Sequence, residues 1–298
     1  MLRLGQLPAL LFTFLLALLL PAGALSEVLP VPLPEPEELI RKVLKSQKRA
    51  EERFEAFTFD QEEVRTKFSS DGTVKEQRRR LFYVTSGPGP EGGSRELVEV
   101  DGRAATDEEK KDAEKEDAKR RKHRLEERAA ARASERAAVS GDEEDPALGG
   151  RRLSDLMKRF DVRIAGREDL GGRPAWLLEF TPRPGVPESG LGDRALSALA
   201  GKAWIDEEDL QVRRVDARLV KPVKVVGGLA ANVKRADVTY EAARVADGYW
   251  FPSRIDLRLE GKQVLLFRLD SGYTFTLSNF RTFSVETESV SSPVESPR

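Results

Sequence analysis

From residue 57 onward the chain alternates apolar and polar side chains with a period of two, interrupted by turns rich in glycine and acidic residues. Such alternation marks strands that bury one face. Phe57 to Phe68 and Gln77 to Val84 flank Ser70-Asp71-Gly72-Thr73, where Asp-Gly is a strong hairpin signal, and Arg95 to Val100 adds a third strand. Phe160, Val162 and Ile164 alternate next, as do Trp176, Leu178 and Phe180 beyond a Gly171-Gly172 turn. Ala203 to Asp206 and Gln211 to Val220 pair across Glu207-Glu208-Asp209. Ala236, Val238 and Tyr240 precede a second Asp-Gly at 247–248, and Ile255, Leu257 and Leu259 follow it. Lys262 to Leu269 and Tyr273 to Val285 complete the series. About ten strands at regular spacing predict a meandering antiparallel barrel or sandwich, not a parallel α/β fold.

Two segments keep a helical period instead. Leu39, Ile40, Val43, Leu44, Ala50 and Phe54 predict an amphipathic helix over Glu37–Glu55, with Pro36 suited to its first turn. Residues 107–138 form the second. Thr106-Asp107-Glu108-Glu109 reads as a capping box, and Asp107–Lys111, Glu116–Arg120 and Asp117–Arg121 are i,i+4 pairs. Leu125 is the only large apolar side chain there, so this helix is read as a solvated arm without a core face, within an insert and linker spanning 106–150. Shorter helices are predicted at Leu153–Phe160 and Asp193–Leu199.

The N-terminus follows neither period. Arg3 precedes an almost wholly apolar run from Leu7 to Leu20, and Ala22-Gly23-Ala24 follows. This predicts a secretory signal over residues 1–24, cleaved at Ala24. The run of about 14 residues is short of the ~20 that a membrane-spanning helix needs. Residues 25–36 are a proline-rich leader, and 287–298 are read as a disordered tail. No later segment is apolar enough to span a bilayer, so the mature chain is expected to be a soluble periplasmic protein without a transmembrane segment.

Composition removes several chemistries. Among 298 residues, 50 Lys and Arg balance 51 Asp and Glu, leaving a net charge of −1 and no basic surface to make nucleic acid the main partner. No cysteine is present, which excludes disulfides, thiolate nucleophiles and cysteine-held metals. The single histidine, His123, sits in a run of Lys, Arg and Glu and is read as solvated. A Ser-His-Asp or Cys-His site, a Gly-x-Ser-x-Gly elbow and a phosphate loop all fail on these residues; Leu196 and Ala203 stand where the phosphate loop needs Gly and Ser or Thr. The chain is therefore not read as an enzyme, and no catalytic residue, metal or cofactor is assigned. Glu207-Glu208-Asp209 is read as a solubilising turn, since it lacks the spacing of a calcium loop.

The aromatic residues carry more information. Trp176, Phe180, Trp204, Trp250, Phe251, Phe267, Tyr273 and Phe275 all fall in predicted strands. Either they fill an ordinary core, or some of them line a pocket for an apolar ligand such as an acyl chain.

Several features together resemble the outer-membrane lipoprotein-sorting group, which includes LolA and LolB and whose fold RseB shares. They are the signal, the amphipathic helix, the antiparallel run and the hairpin Gly-Lys-Ala-Trp-Ile-Asp-Glu-Glu-Asp-Leu-Gln-Val-Arg-Arg-Val-Asp-Ala-Arg-Leu at 201–219. Arg173 to Pro182 and Gly248-Tyr249-Trp250-Phe251-Pro252-Ser253 are similar to segments of the same group. The resemblance covers residues 37–286. It implies a mainly β fold with some α: a half-open antiparallel barrel with a helical lid over an apolar cavity that holds lipid acyl chains, here carrying the charged arm as an insert. The implied function is an exported binding or carrier protein for lipid or lipoprotein acyl chains in envelope lipoprotein sorting. The alternative is an envelope signalling or assembly module that meets protein partners through the arm. If the sheet encloses a cavity, its alternating apolar face supplies the lining, with Trp176, Phe180, Trp204, Leu219, Leu257 and Phe267 as candidates. The Leu39/Val43 face of the first helix would be the lid.

Overall fold

Hairpin turns place consecutive strands side by side, and here they do so almost without exception. The computed structural model describes residues 33–87, 93–137, 159–188, 191–225, 231–246, 248–263 and 267–282. The signal, most of the leader, the linker after the arm, residues 153–158 of a predicted helix and the tail lie outside these. A first helix, α1 (Pro36–Phe54), leads into β1 (Phe57–Phe68), β2 (Val74–Thr85), β3 (Ser94–Val100) and β4 (Arg103–Ala104). The arm helix α2 (Asp107–Ala137) precedes β5 (Phe160–Leu170) and β6 (Arg173–Pro182). A short α3 (Leu191–Leu196), β7 (Leu199–Asp206), β8 (Val212–Leu219) and β9 (Val223–Val225) follow, then β10 (Ala231–Ala246), β11 (Tyr249–Gln263) and β12 (Phe267–Thr282).

These make one 12-stranded sheet in the order β4-β3-β2-β1-β12-β11-β10-β8-β7-β6-β5, with β9 paired to β10. Every pairing is antiparallel. The pairing of β1 with β12 joins the first and last strands, while β4 and β5 remain as edges, so the sheet is open. The expected class is therefore the observed one: mainly antiparallel β, open, with few helices and an inserted charged one. Several boundaries differ; the short helix expected at Asp193–Leu199 spans Leu191–Leu196, with Leu199 already in β7, and two further differences change an element. Residues 262–269 are not a separate strand, because β11 runs to Gln263 and β12 is continuous from Phe267. Ser271 and Gly272 interrupt the apolar alternation, yet their backbones stay in register with Leu259 and Arg258. A ladder needs only the peptide groups. Phe160 opens β5 and does not end a helix.

The register builds one apolar face. Leu178 opposes Ala203, Ala203 opposes Val215, and Val215 opposes Tyr240. Tyr240 opposes Ile255, which opposes Phe275, which opposes Glu63 on β1. Opposed residues share a face, so this row crosses the sheet as apolar side chains and ends in a carboxylate. The next row runs Phe180, Gly201, Ala217, Val238, Leu257 and Tyr273. At Gly201 a Cβ would come within 2.2 Å of the Asp216 carbonyl oxygen and 2.9 Å of the Phe180 ring, so only glycine lets the ring lie there.

α1 crosses this face at the end of the sheet that carries the β5–β6, β7–β8 and β10–β11 turns. Pro36 occupies its first turn, with Glu37 and Glu38 favourably placed near the positive end of the helix dipole. Leu39 and Val43 are buried against Trp176, Leu178 and Ile205. At the other end Phe54 meets Phe59 and Phe251 with ring centroids 5.1 and 5.0 Å apart. Burying each such side chain contributes about 1.5–3 kcal/mol. The helix is also held by a hydrogen bond, Ser46 Oγ donating to the Asp209 carbonyl at 2.9 Å.

That bond ends in a buried polar knot. Asp206, 1% exposed, accepts from Arg173 Nε and Nη2 at 2.9 and 2.8 Å and from the backbone N–H groups of Glu208 and Asp209. Asp209 accepts from Trp250 Nε1 at 2.8 Å, and Gln211 accepts from the Trp250 backbone N–H at 2.9 Å. Arg213 donates to the carbonyls of Leu170 and Arg173 and lies over the Trp250 ring. The acidic turn at 207–209 is therefore not merely solubilising. It fastens three hairpin turns and α1 together.

α2 is not the free arm that its composition predicts. Its cap is as read: Glu109 accepts from the Thr106 backbone N–H at 3.0 Å and donates its own N–H to Thr106 Oγ1 at 3.3 Å. Arg103 and Thr106 together hold the Glu109 carboxyl at about 2. Its following turns dock on the sheet, with Ala113 buried against Phe82, Leu97 and Val100. Asp117, also buried, accepts both contacts of Arg95 Nε at 2.8 Å. A small residue and an ion pair suffice as a docking face, and a count of large apolar residues overlooks both.

Candidate functional site

Between the end of α1 and the docked part of α2, the apolar face stays open as a cleft of about 490 Å³. Its floor is Phe59, Val84, Ile255, Phe275 and Leu277, with Phe54 of α1 at one side. Four charged side chains, Glu63, Arg95, Asp117 and Arg121, form the opposite wall. A second hollow of about 380 Å³ adjoins it, sharing Glu63 and Phe275 and walled by Arg65, Arg78 and Arg80. Beyond the cleft, Tyr240, Val238, Leu257 and Ala217 are only partly buried, so the apolar surface continues across the sheet centre.

The local sequence explains each position. The period of β1, β11 and β12 turns Phe59, Ile255, Phe275 and Leu277 to one side, and the β1–β12 pairing closes the two halves of that floor into one surface. The wall arises where the same period places Glu63 on β1 and Arg80 on β2 in register. Arg80 Nη2 donates to Glu63 at 2.8 Å and its Nη1 to Glu116 of α2 at 2.9 Å. Arg95 donates to both Glu63 and Asp117 and stacks 4.1 Å from the centre of the Phe82 ring. Burial weakens the Arg95 charge, but Asp117 and Glu63 outweigh it, so the guanidinium is held above its ordinary pKa. Beyond the cleft, on the same face, burial pushes the Tyr240 phenol up to about 12. No group of three or more His, Cys, Asp or Glu among the described residues is gathered as a metal would require.

The residues expected to line a cavity are divided by the fold. Phe180 and Leu257 stand on the apolar face in one row, and Leu219, two residues beyond Ala217, shares that face. Phe180 packs edge-on against Phe160 at 5.7 Å. Trp176 shares the face but is sealed under Leu39 and Val43, which are themselves packed core. Trp204 must be corrected. It opposes Leu177 and Arg214, on the outer face with Ala175 and Leu177, and its Nε1 donates to Glu168 at 2.7 Å. Trp204 and Ile205 are adjacent, so only one of them can point inward, and Ile205 does. Phe267 begins β12 opposite Gln263, and its side chain lies outside the described residues. Phe54, Phe59, Leu277 and the charged wall were missed as site residues. Phe54 and Phe59 showed in the sequence only as periodic apolar positions, and the wall depends on α2 folding back.

No family model matches the chain, and no curated protein matches it. Among solved structures, it is similar to a Vibrio parahaemolyticus domain described as outer membrane lipoprotein-sorting, at 13% identity and a TM-score of 0.34, covering 83% of this chain and 95% of that one. It is also similar to a LolA superfamily protein from Nitrosomonas europaea, at 12% identity, TM-score 0.29 and coverages of 82% and 94%. A third is the Pseudomonas aeruginosa MucA/MucB complex, at 14% identity, TM-score 0.20 and coverages of 81% and 99%. The first two bear the names of the group that the sequence resembles. At identities of 12 to 14% and TM-scores of 0.34 or less, the likeness transfers neither ligand nor partner.

Proposed function

We propose that this chain is an exported binding or carrier protein for a hydrophobic ligand, lipid or lipoprotein acyl chains, acting in lipoprotein sorting in the periplasm. One observation supports this reading above the others: a continuous apolar face runs from Ala217 through Val238 and Leu257 to Phe275, is only partly covered, and opens into a cleft of about 490 Å³. Ligand pockets span about 300–1,000 Å³ and are mostly apolar with few polar groups. A soluble domain seldom leaves such a face unused. Among the described residues no helix is long and apolar enough to cross a membrane. Acyl chains would bind by burying methylenes at ~0.8 kcal/mol each, offset by the cost of ordering the chain.

The test is native mass spectrometry of the protein purified from its own envelope, together with titration of the uncharged dye N-phenyl-1-naphthylamine. The expected results are a mature chain beginning near Leu25 with lipid-sized adducts, and dye fluorescence that Phe275→Asp abolishes with the circular dichroism unchanged. A wild-type protein carrying no lipid and enhancing no dye would overturn the reading. The second reading, a signalling or assembly module meeting an envelope protein through α2, is favoured by Leu125, exposed beyond the docked turns. Capture of a single envelope protein that Leu125→Lys prevents would support it.

A further inference from the structure

The cleft holds one charge that an apolar pocket does not need. Asp117 and Arg121 stand four apart on α2, the spacing of a helical ion pair. Folding breaks that pair, because Asp117 turns down to Arg95 at 2.8 Å and is only 10% exposed. Arg121 is left lining the cleft, half-buried, with neither hydrogen bond nor ion pair among the described residues. The acids on the same wall are engaged elsewhere: Glu63 by Arg80 and Arg95, Asp117 by Arg95. A half-buried guanidinium that shares an apolar cleft and has no counter-ion among the described residues is less well solvated than a fully exposed one. Its planar fork suits a carboxylate, which it can bind through two parallel hydrogen bonds.

Resting on the apolar-ligand reading, we propose that the cleft takes a single-chain amphiphile with a carboxylate head, the chemistry of a free fatty acid. The chain lies on Phe59, Ile255, Phe275 and Leu277, and the head meets Arg121. A volume of about 490 Å³ suits one chain. Lipoprotein acyl chains, being esters and amides, have no such head and would use the apolar floor without Arg121.

The experiment titrates the full chain and Arg121→Gln with cis-parinaric acid and with its methyl ester, reading polyene fluorescence. Arg121 has no partner among the described residues to strand, so Gln should leave the fold intact, which circular dichroism verifies. The wild type should bind the acid at least tenfold more tightly than the ester. Arg121→Gln should bring the acid to the affinity of the ester, and added salt should weaken only the acid. Equal binding of acid and ester by the wild type overturns the head site and leaves the apolar reading standing. A preference for the acid that survives in Arg121→Gln overturns the assignment to Arg121. Binding of neither probe overturns both this proposal and the function on which it rests.

Discussion

Removing Arg95 tests whether α2 belongs to the folded domain. Arg95 holds two carboxylates at once, with Nε donating to Asp117 at 2.8 Å and Nη1 donating to Glu63. The side chains of Arg95, Glu63 and Asp117 are 13%, 9% and 10% exposed, so water screens little of the interaction. Breaking a buried pair by deleting one partner costs about 3–5 kcal/mol, because the other charge stays behind unpaired. Glu63 keeps Arg80 at 2.8 Å, so the stranded group is Asp117. Asp117 can recover solvent if the first turns of α2 lift, which places the loss for Arg95→Ala near the lower end, about 3 kcal/mol. The lift also uncovers Ala113, Phe82 and Leu97. Urea unfolding should therefore show a lower midpoint, and amide exchange should rise selectively over 107–118. The paired control is Asp117→Ala. In the Arg95→Ala background it should cost far less than in the wild type, giving a coupling of about 1.5 kcal/mol or more. A loss below about 1 kcal/mol with unchanged exchange over α2 would refute the docked arm and restore the solvated one.

The buried knot has a pH signature. Burial pushes the Asp206 carboxyl up, but the Arg173 pair and the N–H groups of Asp209 and Glu208 outweigh it, so its folded pKa lies below 3.8. Its contribution is complete above that value and is lost as pH falls through the folded pKa, so stability should drop below about pH 3.8, and Asp206→Asn should remove that part of the slope. At neutral pH, Asp206→Asn should cost about 1.5–3 kcal/mol in denaturant unfolding through its weakened charge-assisted hydrogen bonds, while Glu208 and Asp209 keep Arg173 paired. Trp204→Phe should cost about 1–2 kcal/mol through the lost Glu168 hydrogen bond, and should leave binding of the naphthylamine dye unchanged because the side chain is on the outer face. A dye signal lost in a folded Trp204→Phe would place that residue at the ligand after all.

Much of this protein is settled locally. Asp71-Gly72 and Gly171-Gly172 make their hairpins because glycine reaches positive φ at +85° and at +60° and +83°. A period of two then commits Ile255 and Leu257 to one face and Arg254 and Asp256 to the other, wherever the strand is placed. The capping box and the Leu39/Val43 stripe are equally local, and both appear in the fold as their spacing implies. Tertiary structure decided what those faces meet. Period two shows that Trp204 and Ile205 part, but only the pairing with β6 and the seat of α1 tell which is inside. Glu63 looks like a surface residue until β2, β3 and α2 bring Arg80, Arg95 and Asp117 around it. The i,i+4 rule assigns Asp117 to Arg121, yet the more deeply buried, ring-stacked guanidinium of Arg95 outcompetes a half-buried one, because charges attract more strongly where water is excluded. That exchange of partners leaves Arg121 facing the apolar cleft, which no local pattern could indicate.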